Sequence, residues 1–160
     1  MHECDHHESC LSEAMGQLEA YCHDNDLRLT PLRRRVFELV WASHKPAGAY
    51  QLLEGLTEDG RKPSPPTVYR SLDFLLEHGL IHRIASLNAF LGCAHPGHPH
   101  PAQFFICREC GEATEVEGQA LDQALDREAE DIGFDVQETT VEVLGRCSHC
   151  RADNVENNGP

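Results

Sequence analysis

Two Cys-x-x-Cys turns, Cys107-Arg-Glu-Cys110 and Cys147-Ser-His-Cys150, constrain this chain more than any other feature. Each turn places two thiolates on one side of a tight loop. Two such turns close a tetrahedron around Zn²⁺ at about 2.3 Å per sulfur. A fold that uses them must bring residues 107–110 and 147–150 together. With all four positions filled by protein, no place is left for water, so the expected role is structural. A thioredoxin-like redox role is the alternative for either motif alone. Two motifs in one small domain weigh against it.

The rest of the composition agrees with metal rather than disulfides. At 160 residues the chain holds one ordinary domain or two small ones with thin cores. No apolar run approaches the roughly 20 residues of a membrane span. The opening Met-His-Glu-Cys-Asp-His-His-Glu is polar and acidic, unlike a signal peptide. A cytoplasmic protein with reduced thiols is therefore expected, and eight cysteines there point to metal binding.

The formal net charge of −14 argues against nucleic acid until its distribution is read. Residues 27–84 carry nine Lys/Arg against six acids, a local net of +3, whereas residues 1–26 carry seven acids and no Lys/Arg. Residues 85–160 carry four basic and fourteen acidic residues. A basic segment between acidic ones is the pattern of a DNA reader with an interaction domain attached.

Residues 1–10 hold His2, Cys4, His6, His7 and Cys10 and read as a disordered tail with adventitious metal affinity, or as an accessory metal site. From Ser9 or Ser12 a helix is expected, with Leu11, Met15, Leu18 and Cys22 on one face. Thr30 is a good N-cap and Pro31 suits the first helical position, with Leu32, Val36, Leu39 and Val40 as the buried stripe. Arg33, Arg34 and Arg35 crowd that first turn, where the helix dipole disfavours cations, so phosphate contact is one reason for them to be there and a solvated basic turn is the alternative. A third helix spans about residues 49–56. The fourth opens at Pro65-Pro66 and ends at Gly79, with Val68, Leu72, Leu75 and Leu76 inward. Thr67, Tyr69 and Arg70 lie at its N-terminal end, where a recognition helix touches bases. Residues 80–91 read as two short strands turning at Ser86-Leu87-Asn88, which completes a winged helix. Between His82 and Cys110 comes a loop, Cys93-Ala-His95-Pro-Gly-His98-Pro-His100-Pro, rich in metal-ligating side chains. Beyond it, residues 104–107 and 113–116 read as strands, and Leu121, Leu125, Ala129 and Ile132 as one buried helical face ended by Gly133. Residues 134–144 read as a strand with a bulge, and residues from 152 as a disordered tail.

Three stretches carry a family resemblance: Arg28-Leu-Thr-Pro-Leu-Arg33, Pro66-Thr-Val-Tyr-Arg-Ser-Leu-Asp-Phe-Leu, and Phe105-Ile-Cys-Arg-Glu-Cys-Gly. They resemble the ferric uptake regulators, bacterial metal-dependent repressors, and within them the zinc-responsive branch. The resemblance covers roughly residues 12–150. It implies an α+β chain: a winged-helix DNA-binding domain over 11–92, a hinge over 93–103, and an α/β dimerisation domain over 104–151 that carries the Cys4 zinc site. Tails over 1–10 and 152–160 fall outside it.

The resemblance also implies a sensing zinc site at His82, Cys93, His100 and Glu115. Two imidazoles, a thiolate and a carboxylate suit tetrahedral zinc, whereas a harder iron site uses mainly nitrogen and oxygen. Of the loop histidines only His100 keeps the family spacing to Cys107; His95 and His98 remain donors for a third site. The expected cofactors are thus two zinc ions per chain, one structural and one regulatory. The expected partners are double-stranded operator DNA, contacted by Arg28, Arg33, Arg34, Thr67, Tyr69 and Arg70, and a second copy of the chain, with no membrane and no small-molecule substrate. The rivals are a sibling regulator answering to iron, manganese or peroxide, and a zinc hydrolase built on His82, His100 and Glu115. The hydrolase lacks a His-Glu-x-x-His motif.

Overall fold

A computed structural model describes residues 7–60, 62–98 and 100–156. The chain divides at residues 98/99 into two compact units, inside the stretch expected to be a hinge.

The first unit contains α1 (His7–Asp24), α2 (Pro31–Val40), α3 (Ala49–Glu58) and α4 (Pro65–Glu77). Its three-stranded antiparallel sheet has the order β1 (Ala47–Gly48), β3 (Ala89–Gly92), β2 (Ile81–Ile84). This is a winged helix with one strand more than the expected hairpin. Each helix is bounded by local chemistry. Thr30 accepts from the Arg33 N–H at 3.2 Å, and Pro31 follows it at the first helical position. At the far end of α4, Gly79 takes φ +62°, with Gly79 N–H donating to Leu76 O and Leu80 N–H to Leu75 O. This is a Schellman cap, which needs a left-handed residue. At the end of α1 the same pair of bonds forms around Asp26, at φ 53°.

The core of this unit is one cluster that joins Leu18 and Cys22 of α1, Val36, Phe37 and Val40 of α2, Leu52 and Leu56 of α3, and Val68, Leu72 and Leu75 of α4. The expected apolar stripes therefore meet. Leu11 and Met15 stay half-buried, and Ala14 is buried in their place. The wing lies against α2 so closely that a Cβ on Gly92 would sit 2.1 Å from Cε2 of Trp41.

The second unit contains β4 (Ala102–Cys107), β5 (Ala113–Val116), α5 (Gln119–Asp131), β6 (Thr140–Gly145) and α6 (Ser148–Glu156). Its sheet order is β5-β4-β6, with β4 antiparallel to β5 and parallel to β6. Buried Gln103 donates to Gly118 O at 3.0 Å and to Asp122 Oδ1 at 2.8 Å, which pins the start of α5 to β4.

Four expectations need correction. The first helix begins at His7, so residues 7–10 are helical rather than tail; residues 1–6, with His2, Cys4 and His6, lie outside the described residues. The expected disordered segment 152–160 starts inside α6, and only 157–160 lie outside the described residues. The strand expected over 134–144 is shortened to β6, because in that stretch the pairing with β4 covers only Thr140–Gly145. The face of α5 is not buried within the chain: Ala129 is, but Leu121, Leu125 and Ile132 are exposed. The 3.6-residue period is present, but among the described residues nothing buries the stripe beyond Ala129.

Replacing Gly92 by Ala should destabilise the protein by about 1–3 kcal/mol, because the methyl meets a ring held in a packed core. Gly16, within α1 and with nothing near its virtual Cβ, gives the opposite sign: Gly16→Ala should stabilise by about 0.5–1 kcal/mol. Urea midpoints of the two zinc-loaded variants check both.

Candidate metal centres and DNA-reading face

The parallel pairing of β4 with β6 is what brings the two Cys-x-x-Cys turns together. Both strands run the same way, so both end at one edge, with Cys107 opposite Gly145. The Arg108 N–H donates to Gly145 O at 2.9 Å and extends that pairing into the first turn. Gly111, at φ +77°, closes the turn with its N–H on Cys107 O at 3.0 Å. Cys147 follows β6 directly, and Cys150 lies in the first turn of α6. An Arg146–Glu109 ion pair at 2.5 Å links the two turns on the outside.

The four sulfurs lie within 4.8 Å of one another, and Cys110 Sγ and Cys147 Sγ are 3.8 Å apart. A regular tetrahedron with about 2.3 Å metal–sulfur bonds has sulfur edges of about 3.8 Å. A disulfide would need about 2.05 Å. All four thiols are free of disulfides. The donor set therefore fits zinc in both chemistry and spacing. The Cys107 thiol is pulled down to about 6, first by the backbone N–H of Cys110 and then by that of Cys147. Cys150 is pushed up, first by its neighbour Cys147 and then by burial. At Cys110 the Glu112 N–H favours the thiolate, but burial and the sulfurs of Cys107 and Cys147 push the thiol up.

The other candidate ligands form two pairs, one in each unit. In the first unit, Leu91 is the cross-strand partner of His82, so Cys93 is its diagonal neighbour on the same face. The ligand atoms of His82 and Cys93 lie within 4.8 Å. Cys93 is buried and His82 half-buried. In the second unit, His100 precedes β4 and Glu115 sits on β5 opposite Phe104. His100 Nε2 and Glu115 Oε1 are 2.7 Å apart. His95 and His98 are exposed, and among the described residues they join no group of three or more ligands.

The residues expected to meet DNA divide into free and engaged side chains. Tyr69 and Arg70 are exposed on α4, and Arg28 is exposed before α2. Thr67 shares a 2.8 Å hydrogen bond with Ser64 at the start of the helix. Arg33 is held at both ends: Nη1 donates to Arg28 O at 2.6 Å, and its guanidinium lies 3.7 Å over the Phe74 ring. Arg34 pairs with Glu19 of α1. Arg35 is clamped by Asp59 at 2.6 Å and Glu38 at 3.0 Å. The crowded arginines of α2 thus have carboxylate and aromatic partners, which the sequence reading missed. Only Arg35–Glu38, three residues apart, left a local signal.

Residues 24–144 match the ferric uptake regulator family. The chain belongs to that family. Among its relatives, this ferric uptake regulator family member is 35% identical to the zinc uptake regulation protein of Escherichia coli (strain K12) over 139 residues, covering 86% of this chain and 81% of that one. Its fold matches the structure of a zinc uptake regulator complexed with zinc and DNA. The TM-score is 0.85 at 34% identity, covering 91% of this chain and 97% of that one. It also matches the crystal structure of holo XcZur at TM-score 0.79 and 40% identity, covering 86% and 96%.

Changing Cys147 to Ser should remove one zinc per chain and leave a monomeric or aggregated protein. A closed thiolate site contributes about 10 kcal/mol or more of apparent binding energy, which becomes folding energy for the small unit around it. Metal content per chain together with light scattering checks this.

Proposed function

We propose that the chain is a cytoplasmic, zinc-responsive transcriptional repressor that binds palindromic operator DNA as a homodimer and controls zinc-uptake genes. The observation that carries the reading is the likeness to a zinc uptake regulator complexed with zinc and DNA, over 91% of the chain. The four-sulfur cage supports the metal, with the chemistry and spacing of a structural zinc site; the donor types of the candidate sensing residues, a thiolate, two imidazoles and a carboxylate, also suit zinc. Consistent with an aqueous setting, no described helix is long and apolar enough to cross a membrane.

In this reading His82 and Cys93 contribute from the first unit, and His100 and Glu115 from the second. A zinc ion held there would take Cys93 as its thiolate and His82 and His100 as neutral imidazoles. Holding both pairs at once selects one arrangement of the two units, and operator DNA selects the same one. Each ligand then raises the affinity for the other by the same factor. The second unit also supplies an apolar surface for a second copy: Phe105, Leu121, Leu125, Ile132, Phe134 and Val143 are all exposed on it. Pairing two copies presents two α4 helices to successive major grooves, about 34 Å apart. The acidic remainder suppresses nonspecific DNA binding, so affinity depends on that spacing.

Arg70→Ala should lose about 1–3 kcal/mol of operator affinity while zinc content and dimerisation stay normal, as expected when a bidentate guanine contact is removed. Fluorescence anisotropy on operator and scrambled DNA measures it, and an unchanged operator affinity would mean that α4 does not read bases through Arg70. In an alanine series titrated against buffered free zinc, His100→Ala should move the half-maximal operator response to much higher zinc. His95→Ala and His98→Ala should move it little. The reverse order would assign the ligand to His95 or His98, and an operator response of the wild type that ignores zinc would refute the regulator reading.

A further inference from the structure

The loop that leaves the wing is seated on α1 and on the end of α4 by two backbone hydrogen bonds and one ring contact. Two backbone bonds tie it to the α4–β2 corner: the Cys93 N–H donates to Leu80 O at 3.2 Å, and the Gly97 N–H to Gly79 O at 3.4 Å. The loop closes over the ring of Tyr21. Gly97 has φ +82°, and a Cβ there would lie 2.7 Å from both Cδ2 and Cε2 of that ring. The Tyr21 hydroxyl lies 3.5 Å from Nδ1 of His78, the C-cap residue of α4. The His78 ring is 4.7 Å from that of Phe74, which in turn carries the Arg33 guanidinium. A continuous run of ring contacts therefore leads from the start of α2, through the buried side of α4, to the loop that begins with Cys93.

We propose that Tyr21 is a positioning residue for the zinc response: its ring is the seat that holds residues 93–97 ordered against the end of the recognition helix. The inference rests on the reading of Cys93 as a sensing ligand. Its physical basis is entropy. A ligand on an unseated loop must be ordered when the metal binds, and fixing one residue's backbone weakens binding by about tenfold. A seated loop has lost that freedom already, so Cys93 meets the metal in place. The seat also makes Cys93 and α4 one body, since Gly79 and His78 end the helix. Ring packing rather than the 3.5 Å hydroxyl contact supplies the seat, because the closest approach to Gly97 is made by ring carbons.

The test uses the full-length dimer with both zinc sites, titrated for operator binding against buffered free zinc. Tyr21→Ala should raise the free zinc needed for half-maximal binding about tenfold. Operator affinity at saturating zinc and the zinc held by the four cysteines should match the wild type. Tyr21→Phe, which keeps the ring, should respond as the wild type does. A Tyr21→Ala midpoint that coincides with the wild type overturns the proposal. So does an equal loss of operator affinity at all zinc concentrations, which would show that Tyr21 only supports the fold. Should Tyr21→Ala fail to fold, Gly97→Ala decides from the other side of the contact: a raised midpoint supports the seat, and an unmoved one overturns it. A wild type without any zinc response would sink the regulator reading and this proposal with it. A responsive wild type with an unmoved Tyr21→Ala sinks this proposal alone.

Discussion

The parallel register between β4 and β6 is the constraint on which the second unit depends. It sets Cys107 opposite Gly145, and so puts the two cysteine turns at one edge, with the sulfurs of Cys110 and Cys147 3.8 Å apart. The unit has little else to hold it. Among its described residues the large buried side chains are few, chiefly Phe104 and Ile106. A domain of this size with so thin a core is expected to need a staple, and four cysteines spaced for one metal could supply it. The register makes the candidate site, and a metal bound there would hold the register.

The same thin core explains the exposed stripe on α5. A helix that shows Leu121, Leu125 and Ile132 to solvent leaves apolar surface that a second copy can cover, at roughly 25 cal/mol for each Å² removed from water. A metal on the cysteine turns and a second copy on this stripe would then stabilise the same small unit. Gln103 links them locally. Its amide joins β4, which runs into the zinc turn, to the first turn of α5, and it lies where a side chain on Gly118 would have to go.

The first unit works differently. Its four helices share a real core, so its arginines are free to be tuned rather than needed for folding. Their partners differ in kind. Arg35 sits between two carboxylates, Arg34 meets one across α1, and Arg33 lies over an aromatic ring. Exposed ion pairs are worth about 1 kcal/mol or less, so Arg34 can exchange Glu19 for phosphate at small cost. Arg33 is harder to move, since its guanidinium is stacked as well as bonded. Arg70, with no carboxylate partner among the described residues, stands ready at the exposed face of α4.

What the sequence determined by itself was everything that depends on near neighbours. Thr30-Pro31 and Gly79 mark helix ends because caps are made within four residues. The apolar stripes of α2 and α4 are legible because a 3.6-residue period is a local property. The paired Cys-x-x-Cys turns name their metal because donor type and spacing are written in the chain. His82, Cys93, His100 and Glu115 share no local spacing, so only the family resemblance singles them out as candidate sensing ligands. Tertiary structure alone decided the rest. It set Arg34 on Glu19 and Arg35 on Asp59, laid Gly97 on the Tyr21 ring, and limited the last strand to Thr140–Gly145. Each joins residues far apart in sequence. Which of many chemically equivalent partners is met depends on how the helices and strands pack, and no local pattern encodes that choice.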